Sequence, residues 1–233
     1  MSIRLRVFLQ GFSGSAADTE RLFTNGISSN KIWELDPDTL LDISSGGVTP
    51  PGSSPGGIGG FLGRLFNTDY GLEKTYELDP DTLLDITGGG VTSVANNTRG
   101  IGGIEGRLFI CDITADKFWE LDPDTLLDIS SGGVSSTGSA PYGMGGTSTR
   151  LYNSDSSEDK FYEIDPDTLL DISSGGVSSI GATPTGIGGF SERLFTCDQA
   201  TDKSYELDPD TMLDISSGGV ASPDTSVTGI GGI

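Results

Sequence analysis

Short alternations of apolar and polar residues, broken at regular intervals by turn-forming residues, run through the whole chain. One stretch serves as a template: Arg150-Leu151-Tyr152-Asn153-Ser154-Asp155, a polar turn Ser156-Ser157-Glu158-Asp159, then Lys160-Phe161-Tyr162-Glu163-Ile164. In Tyr162-Glu163-Ile164 apolar residues flank an acid, the period-2 signal of a strand with one buried face. Asp165-Pro166-Asp167-Thr168 follows, which suits a type I turn: Asp initiates it and Pro presets φ at its second position. The segment Leu169 to Ser173 then predicts an outer strand. A Gly-rich stretch with Gly143-Met144-Gly145-Gly146 as its example predicts an inner one. Four short extended segments therefore alternate with turns at the spacing of an all-β array. No helical periodicity is sustained over about a dozen residues, so no helix is predicted.

The template recurs. Asp-Pro pairs begin at Asp36, Asp79, Asp122, Asp165 and Asp208, a constant 43-residue period without insertion or deletion. Four strands in a unit of this length, repeated, predict a β-propeller. The fold expected is all-β: a five-bladed propeller of 43-residue, four-stranded blades. The Gly-rich segment has one copy more than the others, at Gly11, Gly57, Gly100, Gly143, Gly186 and Gly229. The copy at Gly229–Ile233 is therefore expected to supply the innermost strand of the first blade and close the ring, which also removes sheet edges. This divides the chain into an N-terminal extension, 1–19, and a propeller, 20–233. In the extension, Ile3, Leu5, Val7 and Leu9 alternate with Arg4 and Arg6 and predict a spare β-strand. It either folds back on its own body or adds to a neighbouring copy, building an oligomer or fibre.

Charge narrows the partners. The formal net charge is −21, and four acids per unit supply 20 of the 34 acidic residues. Such a surface repels phosphates and anionic lipid, so neither nucleic acid nor membrane is expected as a partner. No apolar run approaches bilayer-spanning length. The stretch from Met1 to Gln10 is too short and too interrupted by arginine for a secretory signal. An extracellular or virion-surface setting by another route is favoured, with the cytoplasm as the alternative. Cys111 and Cys197 sit two periods apart on non-adjacent blades, so both are expected as free, buried thiols.

The string Arg193-Leu194-Phe195…Asp198…Asp202-Lys203-Ser204-Tyr205-Glu206-Leu207-Asp208-Pro209-Asp210-Thr211 resembles blades of bacterial YVTN and NHL-like propellers, which typically read RLYVAD…T…IYRIDPATG. The resemblance spans all five units, 11–233, and implies the fold. It implies no single activity, because such blades serve structural, binding and enzymatic proteins alike. Enzymatic members use histidine or clustered acids in the central channel. This chain has no histidine.

The remaining chemistry is weighed on that frame. Asp-Pro-Asp-Thr-Leu-Leu-Asp offers oxygens suited to Ca²⁺ but lacks calcium-loop spacing, so no metal and no cofactor is assigned. Arginines at Arg21, Arg64, Arg107, Arg150 and Arg193, and lysines at Lys31, Lys74, Lys117, Lys160 and Lys203, are expected to pair with acids between strands or blades. No Ser-His-Asp or Cys-His arrangement is available. Variation among the copies collects in the loop after each Gly-Gly-Val and in the turn between second and third strands. A propeller presents both on one face, where Tyr70, Asn96, Asn97 and Tyr142 are the candidate ligand residues. The function expected is a non-enzymatic structural propeller that self-associates through its first strand. The alternative is a carbohydrate- or protein-binding propeller using the variable face, and an enzyme with a central-channel site ranks last.

Overall fold

The computed structural model describes residues 20–233, so the strand assigned at Ile3, Leu5, Val7 and Leu9 lies outside the described residues. The first blade contains β1 (Leu22–Gly26) and β2 (Lys31–Leu35). The second has β3 (Pro55–Phe61), β4 (Arg64–Asp69), β5 (Lys74–Leu78) and β6 (Val91–Thr92). The third has β7 (Thr98–Ile104), β8 (Arg107–Asp112), β9 (Lys117–Leu121) and β10 (Val134–Ser135). The fourth has β11 (Pro141–Gly146), β12 (Leu151–Asp155), β13 (Lys160–Ile164) and β14 (Val177–Ser178). The fifth has β15 (Pro184–Phe190), β16 (Arg193–Asp198), β17 (Lys203–Leu207) and β18 (Val220–Ala221). The last strand, β19 (Val227–Gly232), returns to the first blade, giving the order β19-β1-β2. Its register sets Phe23 opposite Gly231 and Thr24 opposite Ile230. The architecture is a five-bladed all-β propeller clasped by its C-terminal strand, with no helix among the described residues.

Hydrophobic burial is divided into five slabs, one between each pair of blades. Leu65 and Phe66 are adjacent on β4, and strand alternation sends them to opposite faces of the sheet. Leu65 joins Phe23, Ile32, Ile58, Tyr76 and Leu78 against blade one, while Phe66 joins Ile101, Leu108, Ile110 and Trp119 against blade three. The slab between blades five and one takes Leu22, Trp33 and Ile230 against Phe195 and Cys197. Each blade thus has two buried faces. Both thiols, Cys111 and Cys197, are buried and free, and burial pushes the Cys197 thiol up to about 12.

At the axis the inner strands approach backbone to backbone. A Cβ on Gly102 would stand 2.5 Å from the Gly145 Cα, and one on Gly231 would stand 2.7 Å from the Gly59 Cα. Gly59, Gly102, Gly145, Gly188 and Gly231 therefore form a ring in which only glycine fits.

Two sequence expectations need correction. The outer strand is not Leu169–Ser173. Leu169 adopts φ 57° and is buried, and its N–H bonds the Asp165 carbonyl at 2.8 Å, so the Asp-Pro turn is one residue wider than a type I turn. Beyond it only Asp171 bridges to Ile164, and the Asp171 carboxylate then accepts from Ser173 N and Gly175 N, curling the chain away. The ladder resumes at Val177–Ser178. In the first blade this outer strand shrinks to a single bridge, Ile32 to Val48.

The lysines do not serve as a ring of ion pairs. Each donates to a glycine carbonyl of its own outer loop: Lys117 to Gly132 at 2.8 Å, Lys160 to Gly175 at 2.8 Å, Lys203 to Gly218 at 2.7 Å, and likewise Lys31 to Gly46 and Lys74 to Gly89. Among the described residues, Lys160 alone of these also comes within 3.9 Å of a carboxylate, that of Glu158. A backbone acceptor satisfies an ammonium without any acid being needed in the sequence.

The arginines do pair. Arg107 makes a bidentate contact with Glu120 at 2.6 and 2.8 Å within its blade, and reaches Asp167 of the next blade at 2.8 Å. It also lies over the Phe109 ring at 5.1 Å. The same arrangement closes the ring from Arg193 to Asp38.

Candidate functional site

On the variable face, the inner strands begin with a position that differs in every blade but two: Gly56, Arg99, Tyr142, Thr185 and Thr228. These residues surround the mouth of the axis. Thr185 and Thr228 are buried and bond backbone carbonyls of the next blade, Val227 and Pro55, at 2.8 and 2.9 Å. Arg99 and Tyr142 instead form a cluster. The Arg99 guanidinium carbon lies over the Tyr70 ring, 3.4 Å from its centroid, and 5.2 Å from the Tyr142 centroid. Its Nη1 donates to the Tyr142 hydroxyl at 3.1 Å and its Nε to the Asn97 side-chain oxygen at 2.9 Å.

Asn97 is itself fixed. Its N–H donates to Asp112 at 2.6 Å and its amide nitrogen to Thr114 at 3.1 Å. Three of the four predicted residues, Tyr70, Asn97 and Tyr142, are therefore brought together, and the residue that joins them is Arg99. Asn96 is exposed and makes no side-chain hydrogen bond among the described residues. Sequence reasoning missed Arg99, although a signal existed: within 20–233 it is the only Lys or Arg outside the two repeated sets. The cluster is single. The positions equivalent to Tyr70 hold Ile27, Ile113, Ser156 and Gln199.

The axis itself is closed. The space between Gly57, Gly100, Gly143, Gly186 and Gly229 and their neighbours is too narrow to admit a water molecule. On the opposite face it opens into a bowl of about 370 Å³ lined by Phe61, Ile104, Phe190, Ile233 and Leu62, with Glu20 and Glu105 among the lining residues. Beyond the Asp-Pro turns of that face, every blade exposes two large apolar side chains. Leu41 and Ile43 are 56% and 55% exposed, and Leu84/Ile86, Leu127/Ile129, Leu170/Ile172 and Leu213/Ile215 repeat them. Among the described residues no cluster of His, Cys, Asp or Glu is arranged to hold a metal. The turn carboxylates are instead engaged locally: Asp36 accepts from Asp38 N at 3.0 Å and Thr39 N at 2.9 Å.

The fold defines the protein as a closed five-bladed propeller. No family model and no curated protein matches the chain. Among solved structures, a chain of a nidogen/laminin complex is similar, with 16% identity, a TM-score of 0.59, and coverage of 92% of this chain and 98% of that one. A protein of unknown function from Bacteroides caccae gives 11% identity, a TM-score of 0.52, and the same coverages, 92% and 98%. A glutaminyl cyclase from Myxococcus xanthus gives 12% identity and a TM-score of 0.52 over 76% of this chain and 73% of that one. These likenesses establish the propeller architecture, which the blade resemblance implied, and nothing about activity.

Proposed function

We propose that the chain is a non-enzymatic assembly propeller whose constant face associates with a second copy. The observation that carries this reading is the ring of ten half-exposed Leu and Ile side chains, Leu41/Ile43 through Leu213/Ile215, flanking the acidic turns. Isolated exposed apolar residues are ordinary, but a five-fold repeated set around one face, with an apolar bowl at its centre, offers a large surface to bury. The described body carries 11 basic residues against 33 acidic ones, whereas 1–19 holds Arg4 and Arg6 against Asp18. Charge thus favours that segment meeting a body of this kind, and it joins the body at Glu20, on the bowl. A catalytic reading finds little support, because the axis is filled by backbone and the chain has no histidine.

Sedimentation across a concentration series tests the assembly. Species above the 24.2 kDa chain mass are expected, and they should be lost when Leu41, Leu84, Leu127, Leu170 and Leu213 are all changed to Gln. A full chain that stays at chain mass at every concentration would refute the reading. A second reading, recognition through the variable face, is favoured by the Arg99 cluster alone.

A further inference from the structure

Arg99 differs from every other arginine among the described residues in its partners. The five arginines of the ring each hold a bidentate glutamate and a second carboxylate from the next blade. No carboxylate lies within ion-pair distance of Arg99 among the described residues. Its neighbours are two phenol rings and an amide. A guanidinium has five N–H donors in a planar fork. Nε and one Nη1 hydrogen are used, by Asn97 and Tyr142, leaving the second Nη1 hydrogen and both Nη2 hydrogens without an acceptor among the described residues.

The group is also held still. The Tyr70 ring packs against it at 3.4 Å, and Asn97, anchored by Asp112 and Thr114, accepts its Nε hydrogen. Freezing a long arginine side chain costs conformational entropy, and here that cost is met before any ligand arrives. The result is a half-buried, oriented cation at the mouth of the axis with no ion-pair partner among the described residues. It lies on the face opposite the acidic Asp36-type turns.

We propose that Arg99, framed by Tyr70, Asn97 and Tyr142, is a binding site for a single carboxylate group carried by a small ligand. The free edge of the fork matches a carboxylate and can bind it through parallel N–H···O bonds. A phosphate dianion fits less well, because among the described residues no second Lys or Arg belongs to the cluster and no helix N-terminus supplies more positive charge. Since Tyr70 and Arg99 each occur at only one of the five equivalent positions, the stoichiometry is one ligand per chain. A sugar acid and a simple organic acid both supply this chemistry. The site is remote from the apolar rim and does not depend on assembly, so either idea can fail while the other stands.

The test is calorimetry on the full chain with D-glucuronate, acetate and D-glucose. The Arg99 Nε–H resonance, followed by NMR, provides a readout that needs no variant. Saturable binding of glucuronate at one per chain, shifting that resonance, is expected, with no response to glucose. Arg99→Gln should weaken it by about tenfold or more, and Arg99→Lys, which keeps the charge and loses the fork, should restore only part. Acetate binding as tightly as glucuronate would identify a simple acid as the ligand class, and tighter glucuronate a sugar acid; both support the site. The proposal is overturned if no carboxylate moves the Arg99 resonance, if glucose binds equally, or if a folded Arg99→Gln chain binds undiminished.

Discussion

At one position the repeat is broken and repaired within the same blade. Asp69, Asp112, Asp155 and Asp198 end the second strand, and all are buried. Each reaches two backbone segments. Asp69, for example, accepts from Leu72 N at 2.7 Å and Ser54 N at 2.7 Å. Space for these side chains is left by small residues at Gly52, Ala95, Gly138 and Gly181. A Cβ on Gly52 would lie 2.0 Å from the Asp69 carboxylate. The first blade inverts the pair, with Gly26 in the strand and Asp224 in the loop. A Cβ on Gly26 would lie 2.5 Å from Asp224 Oδ2. Asp224 nevertheless accepts from Ser29 N at 2.9 Å, the equivalent of the Leu72 bond. The carboxylate arrives from the other side and caps the same turn. Gly26→Asp alone puts two carboxylates into one space, and Asp224→Gly alone takes the carboxylate acceptor from the Ser29 N–H in a part-buried bond, so each should cost about 1–2 kcal/mol. The double exchange recreates the arrangement of the other blades and should recover most of the loss. Chemical denaturation of the three variants measures this, and additive losses would refute the exchange. The signal lay in the sequence, as a Gly where its equivalents read Asp. What hid it was that the compensating Asp224 stands 198 residues away and becomes a neighbour only through the clasp.

Among the elements, the Asp-Pro turns set the response to acid. Asp36, Asp79, Asp122, Asp165 and Asp208 are held below the ordinary carboxylate range, first by a hydrogen bond from the backbone N–H of the Thr three residues on. A carboxyl whose folded pKa is depressed contributes stability above its unfolded value of about 3.9, and the contribution is lost as pH falls through the lower folded value. Relief of repulsion in a chain of net charge −21 acts in the opposite sense, favouring the fold as pH falls from neutrality toward the pI near 4.1. The melting temperature should therefore hold or rise slightly down to about pH 4 and fall below it. A continuous rise to pH 2 would show that the turns contribute nothing. The turns also mark the limit of what the sequence discloses about elements. Asp-Pro-Asp-Thr announces a reversal, but Leu40, Leu83, Leu126, Leu169 and Met212 sit at φ between 55° and 58°. Leucine disfavours that region locally. Their burial between blades holds them there, and this packing has no local signature in the sequence. For that reason the sequence points to an outer strand at Leu169–Ser173 where the chain makes a turn, whereas the arginine ring is legible because its acids recur at fixed offsets.

For the molecule as a whole, the axial glycines and the clasp act together. The period made five blades and their closure readable without any structure, whereas the sealed axis follows from inter-blade distances that no spacing encodes. Gly102→Ala forces a Cβ to within 2.5 Å of the Gly145 backbone. Since backbone on one side and backbone on the other must both move, about 2–3 kcal/mol should be lost, seen as a lower denaturation midpoint. The clasp carries more. Ile233 N and Arg21 N exchange bonds with each other's carbonyls at 3.1 and 3.3 Å, and β19 supplies Val227 and Ile230 to the slab between blades five and one. Gly231 also closes the glycine ring against Gly59. A chain ending at Ser226 would leave β1 as an open edge at the axis and expose Leu22 and Phe23, both fully buried in the intact ring. Such a chain should lose its cooperative melt and aggregate, and a peptide spanning Val227 to Ile233 added in excess should restore the transition by refilling the first blade. Truncation that left the melt within a few degrees of the full chain would mean that four complete blades hold the ring alone, and that the inter-blade slabs rather than the exchanged strand close it.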